Sequence, residues 1–201
     1  MPEAARTGRY EPLLMRRLVA VHEALTRAGF AYALGGALAL AVHAREPRFT
    51  KDIDLNILAD PAHPEPLLAC LPDEIVVPAT AAPAIRRDQQ VRLIWPDPET
   101  PVDLFFPADP EFHQQVTDRA TSFRFGSADI PVMTATDLMV FKMLFNRTKD
   151  WADIESLLEV HAGDPDEAAE WIERFLGPDA PQLDRLERTR AEVAARPPLA
   201  D

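Results

Sequence analysis

The chain has 201 residues, 47% of them hydrophobic, and a formal net charge of −12. That content suits one medium domain, or a domain with a helical appendage, and excludes a wholly disordered chain. The acid excess argues against a broad nucleic-acid surface, which needs a basic field, but leaves room for a small anionic substrate in a locally basic pocket.

Residues 11–28 read as an amphipathic helix, with Leu14, Leu18, Val21 and Leu25 at steps of three and four. A short strand is expected over 30–34, then a turn at Gly35-Gly36 and a helix over 37–44. Residues 52–58 form a strand and 65–71 a short helix. Residues 90–95 and 102–106 are strands joined by the turn-rich WPDPETP. A weak helix over 111–119 and strands over 121–125 and 130–133 complete this part. The prolines between residues 61 and 83, and between 96 and 110, read as connections. Thr134-Ala-Thr-Asp137 is a capping box opening a helix to about residue 145. Helices over 149–160, from Asp164-Pro165 onward, and over 181–195 follow, the one from Asp164 with proline at its first position. The expected organisation is a mixed α/β core over 1–133 and an all-helical part over 134–201, with a frayed tail at RPPLAD.

No apolar run approaches the ~20 residues needed to cross a bilayer, and no apolar signal core opens the chain. Cys70 is the single cysteine, so an internal disulfide is excluded and a structural zinc site is improbable. The five histidines are scattered without ligand spacing. A reducing cytoplasm is the expected compartment.

The most informative stretch is RFTKDIDLNIL, residues 48–58. Side chains alternate along a strand, so Asp52 and Asp54 share one face while Ile53 and Leu55 take the other. Two carboxylates on one face suit a divalent cation of the magnesium type, which takes oxygen ligands. They also suit the plain solvent face of an edge strand. Asp103, in PVDLFF, faces opposite to its apolar neighbours. If its strand lies beside the first, three carboxylates share one patch and could support a two-metal site. Gly35 and Gly36 end a strand and begin a helix. Such glycines let a phosphate approach backbone N–H groups at a helix N-terminus, and equally serve a tight turn. Basic residues gather nearby in sequence: Arg45, Arg48 and Lys51, then Arg86, Arg87 and Arg92.

Strand, Gly-Gly, helix, D-x-D strand, then a lone Asp on a later strand: this order resembles the nucleotidyltransferase superfamily. It is similar in particular to the small bacterial AbiEii-type nucleotidyltransferases of abortive infection and type IV toxin–antitoxin systems. The resemblance covers about residues 30–158. It rests on GGALALAVHAREPRFTKDIDL, on PVDLFF, and on TATDLMVFKMLFNRTKDWADIESLL. The last block is similar to the family's helical segment with a lysine, here Lys142, and a later Arg-x-Lys-Asp-x-x-Asp run, here Arg147, Lys149, Asp150 and Asp153.

The resemblance implies an α+β fold: a mixed sheet flanked by helices, followed by a C-terminal helical bundle that completes the site. It implies a Mg²⁺-dependent enzyme that moves a nucleoside monophosphate from an NTP to an acceptor. Asp52, Asp54 and Asp103 would be catalytic and metal-binding. Gly35, Gly36, Thr50, Lys142, Arg147 and Lys149 would bind the nucleotide's phosphates, with Asp150 and Asp153 in support. A helix-surface ion pair between Lys149 and Asp153 is the plainer expectation for that helix. Many members carry Gly-Ser where this chain has Gly35-Gly36-Ala37, and Thr50 is the hydroxyl left nearby. The acceptor is open: tRNA, gripped by a local patch of Arg45, Arg48, Arg86, Arg87 and Arg92, or protein, or a small molecule. A cognate antitoxin is the further implied partner, and no membrane is involved. The alternative is a catalytically degenerate fold that binds a nucleotide or a partner. Trp171 is expected in the core, with Trp95 and Trp151 either core or base-stacking.

Overall fold

A computed structural model describes residues 12–45 and 49–196. Glu11, Arg48 and most of the tail, residues 197–201, lie outside the described residues. The chain divides into two compact units: Met1–Val42 with Arg48–Met133, and His43–Pro47 with Thr134–Asp201.

In the first unit the elements are α1 (Pro12–Ala28), β1 (Ala31–Leu34), α2 (Gly36–His43, which runs to the unit boundary), β2 (Ile53–Leu58) and α3 (Glu65–Cys70). Then come α4 (Ala81–Asp88), β3 (Gln90–Trp95), β4 (Thr100–Phe105), α5 (Pro110–Asp118), β5 (Thr121–Phe125) and β6 (Ala128–Val132). The six strands make one mixed sheet in the order β3-β4-β2-β1-β6-β5. β1 runs antiparallel to β2 and parallel to β6, and β2 runs parallel to β4. β3–β4 and β5–β6 are antiparallel hairpins.

One face of the sheet is the core. Ile53, Leu55 and Ile57 of β2 and Val102 and Leu104 of β4 are fully buried there. The apolar stripe of α1 (Leu14, Leu18, Val21 and Leu25) is buried with them. α1 also carries a buried Arg17. It donates to Thr100 Oγ1 and to the carbonyls of Pro96 (2.7 Å) and Pro98 (2.5 Å), and lies 5.2 Å from the Trp95 ring centre. The helix is thereby fastened to the β3–β4 turn, which contains a cis Asp97–Pro98 bond.

One helix departs from expectation. α4 lies in the proline-dense stretch read as a connection. Pro83 falls in the first turn, where its missing N–H costs no intrahelical bond. Ala81 and Ile85 give the helix an apolar side, and Gln89 ends it in a left-handed cap at φ 51°.

The second unit holds α6 (Ala135–Phe145), α7 (Thr148–Glu159), α8 (Pro165–Leu176) and α9 (Pro181–Ala194). The capping box forms: Thr134 Oγ1 accepts from the Asp137 N–H and donates to Asp137 Oδ2 at 2.6 Å. α6 packs on α7 and α8, and α9 packs on the same two helices. No helix among the described residues is long and apolar enough to cross a membrane.

Candidate active site

The register of the sheet brings the sequence's acids together. Asp54 pairs with Asp103 across the parallel β2–β4 contact, and Asp103 pairs with Arg92 across the β3–β4 hairpin. Directly paired residues point to the same face. Asp54, Asp103 and Arg92 therefore stand side by side on the face opposite the core. Asp52 precedes β2 by one residue. Its N–H is held by the buried Thr50 Oγ1 at 3.1 Å, a local hydroxyl turn that fixes the entry to the strand.

Gly35 and Gly36 have different reasons to be glycine. The N–H of Gly35 donates to the Asp54 carbonyl at 2.9 Å, and a Cβ on Gly35 would press on the flexible end of Met133 at 2.8 Å. Gly36 has φ +60°, and a Cβ there would lie 1.9 Å from Asp54 Oδ2. The Asp54 carboxylate thus rests against the first residue of α2, where helix-end N–H groups favour negative charge. The place where Gly-Ser would carry a side chain is taken by Asp54 itself.

Sequence reasoning singled out Arg92 only as one of several basic residues. In the structure its Nε and Nη2 grip the two oxygens of Asp103 at 2.8 and 2.6 Å, and Nη2 lies 3.8 Å from Asp52 Oδ2. This forked hydrogen bond to the Asp103 carboxylate pushes the Arg92 guanidinium still further above its ordinary range. The hairpin register held the signal, because counting back from the turn sets Arg92 opposite Asp103.

Asn56 was also missed. It is 3% exposed, and neither its amide oxygen nor its nitrogen has a hydrogen-bond partner among the described residues. In DIDLN it follows Asp54 by two, so alternation already placed it on the acids' face.

The donor chemistry of this patch fits magnesium: hard carboxylate oxygens on one face. Asp52, Asp54 and Asp103 are the candidate ligands, and both oxygens of Asp103 are engaged by Arg92. Among the described residues no three acid, histidine or cysteine side chains already stand at metal-holding spacing.

The helical unit contains a second charged cluster. Lys142 is 3% exposed; its Nζ hydrogen-bonds Asp153 and lies 3.6 Å from Asp150 Oδ1. Its carboxylate partners come from α7 of the same unit. Asp150 is fully buried and accepts from Arg147 Nε (2.7 Å), Nη2 (3.1 Å) and backbone N–H (3.1 Å). Burial opposes its charge, yet the Arg147 hydrogen bonds and the Lys142 and Arg147 charges hold its pKa below the usual carboxylate range. The expected Lys149–Asp153 pair is corrected: Asp153 is buried on Lys142, and Lys149 is exposed. Trp151 and Trp171 are both buried, and Trp151 Nε1 donates to Asn146 Oδ1 at 2.7 Å.

Arg86 and Arg87 do not form an open basic patch. Arg86 pairs with Glu65 and Arg87 with Asp88.

Comparison with known proteins agrees with this architecture. An antigenic nucleotidyltransferase-like protein from Paracoccidioides brasiliensis superposes with a TM-score of 0.52 at 17% identity, over 90% of this chain and 95% of that one. The antibiotic-resistance factor ANT(2'')-Ia gives 0.51 at 15% identity, over 90% and 91%. Identities this low speak for the fold alone. A comparison with curated proteins finds no match. The family described as "Nucleotidyl transferase AbiEii toxin, Type IV TA system" matches residues 22–198, which takes in the glycine turn, the acid strands and all four C-terminal helices. The chain belongs to the AbiEii family of nucleotidyltransferases.

Proposed function

We propose that this chain is a Mg²⁺-dependent enzyme that transfers a nucleoside monophosphate from an NTP to an acceptor. The observation that carries this reading is the β2–β4 register, which sets Asp54 beside Asp103 with Asp52 at the head of the same strand. Asp52 and Asp54 would hold the metal, which when bound supplies charge neutralisation for the triphosphate and its leaving group. The chain's own part is to fix the acceptor in line with the α-phosphorus and to receive its proton. Asp103 would hold a second metal ion and help to take that proton. The acceptor oxygen bonds to phosphorus as the bond to the bridging oxygen breaks, and pyrophosphate leaves. Catalysis of this kind rests on positioning and charge stabilisation.

The family's description as a type IV toxin supports a toxin-type role restrained by a cognate antitoxin, with tRNA, protein or a small molecule as the acceptor. The test is a transfer assay with each α-labelled NTP, Mg²⁺ and a mixed RNA and protein extract. Wild type labels a macromolecule, and Asp52→Asn/Asp54→Asn, folded by circular dichroism, does not. Equal labelling by the double variant would sink the mechanism. Growth arrest on expression, cured by Asp52→Asn, would tie the chemistry to the toxin role.

A second reading has its own observation. With Asp54 filling the hollow at Gly36 and Asp103 held by Arg92, the same face is a self-satisfied charge cluster, as in a binding module without chemistry. Calorimetry separates the two. Metal-dependent NTP binding supports the enzyme, and its absence at millimolar NTP supports the module.

A further inference from the structure

We propose that Arg92 is the resident counter-cation of the acid patch and competes with the divalent ion for Asp103. The proposal deepens the metal-dependent reading above and rests on it.

Three features of the geometry carry it. First, the Arg92 guanidinium meets Asp103 as a two-pronged fork at 2.8 and 2.6 Å, so both oxygens of that carboxylate are engaged. A metal ion can take either oxygen only by displacing one prong. Second, the same guanidinium reaches to 3.8 Å from Asp52, so its charge serves the patch rather than one acid. Third, the two partners differ in freedom. The Arg92 side chain is 58% exposed and the Asp103 side chain 12%. The arginine can swing into solvent, while the carboxylate stays seated between β2 and β3.

The patch therefore exchanges one cation for another. With Arg92 in place, the repulsion among Asp52, Asp54 and Asp103 is offset and Asp103 is held in plane. With metal at Asp103, the fork opens and the guanidinium is released at the rim of the patch. Arg92 acts as a positioning residue through Asp103. It weakens metal binding at Asp103.

The experiment is a titration of Mn²⁺ into the full chain without nucleotide, reading free Mn²⁺ by electron paramagnetic resonance. Arg92→Gln is expected to bind Mn²⁺ about tenfold more tightly than wild type, the scale of one lost charge-assisted fork. Adding Asp103→Asn to Arg92→Gln removes the gain. Arg92→Lys keeps the charge and loses the fork, so it falls between, and it carries the test if Arg92→Gln does not fold. In thermal melts, Mn²⁺ raises the Tm of Arg92→Gln more than that of wild type.

Unchanged or weaker Mn²⁺ binding by folded Arg92→Gln, with binding still abolished by Asp52→Asn/Asp54→Asn, overturns this proposal and leaves the metal-dependent reading standing. If wild type and Arg92→Gln both fail to hold Mn²⁺ at millimolar concentration, the metal-dependent reading falls and the proposal falls with it.

Discussion

Gly36 and Asp54 are fitted to one another. The positive φ of Gly36 and the 1.9 Å approach of a Cβ to Asp54 Oδ2 each exclude a side chain. Gly36→Ala is expected to cost about 1–3 kcal/mol in urea denaturation and to lower transfer activity by displacing Asp54. Gly36→Ser, which restores the commoner Gly-Ser pair, should do the same rather than improve the enzyme. Asn56 gives the opposite sign. A buried amide without partners opposes folding, so Asn56→Leu, of similar volume, should stabilise the chain by about 1–3 kcal/mol, read from the urea midpoint. At this scale the acids were legible because alternation is local. D-x-D fixes a shared face whatever the rest of the chain does. Arg92 was not legible as a partner of Asp103 without the hairpin register. The left-handed Gly36 looked like any turn glycine until its neighbour was known.

Among the elements, α6 and α7 are joined by a buried charge cluster. Lys142 stands between Asp150 and Asp153, with side-chain exposures of 4%, 0% and 5%. Removing one member of a buried ion group leaves an uncompensated charge, a loss of about 3–5 kcal/mol. Lys142→Met should therefore destabilise the chain by that amount in chemical denaturation, in the absence of any nucleotide. Lys142→Met/Asp153→Leu should recover part of the loss, because Asp150 keeps its Arg147 hydrogen bonds. Wild-type stability in Lys142→Met would show that the lysine's charge is not needed to balance those acids. The family resemblance gave Lys142 a nucleotide's phosphates as its partner. Which acids it meets depended on the packing of α6 against α7, beyond the reach of local spacing. The same limit explains Lys149, whose i,i+4 relation to Asp153 is real but yields to a buried competitor. α4 escaped notice for another reason: Pro83 marks a break in sequence, yet falls in the one turn that tolerates it.

Across the whole molecule, the order of elements was the most legible property. Strand–glycine–helix, acid strand, hairpin and four terminal helices were all spaced by hydrophobic period and capping residues. The sheet order β3-β4-β2-β1-β6-β5 was not, since two of its contacts are parallel and join strands distant in sequence. Charge is also a property of the whole. With a net −12, and with Arg86, Arg87 and Arg92 each paired to an acid, no broad cationic surface is expected from them. Filter binding of a long RNA duplex at physiological salt should give a Kd weaker than roughly 0.1 mM, the weak end of non-specific association. Arg86→Glu/Arg87→Glu should leave its salt dependence unchanged. A steep salt slope abolished by that double variant would instead identify an RNA-gripping patch.

The Arg17 clamp has a practical consequence at the bench. It fastens α1 to the turn between β3 and β4, the two strands that carry Arg92 and Asp103. A shortened clone begun after residue 28, chosen to trim the N-terminus for crystallisation or labelling, would delete the clamp along with the helix. Its loosened hairpin would be mistaken for a defect in the acids, so expression designs should keep α1 and place tags ahead of Pro12.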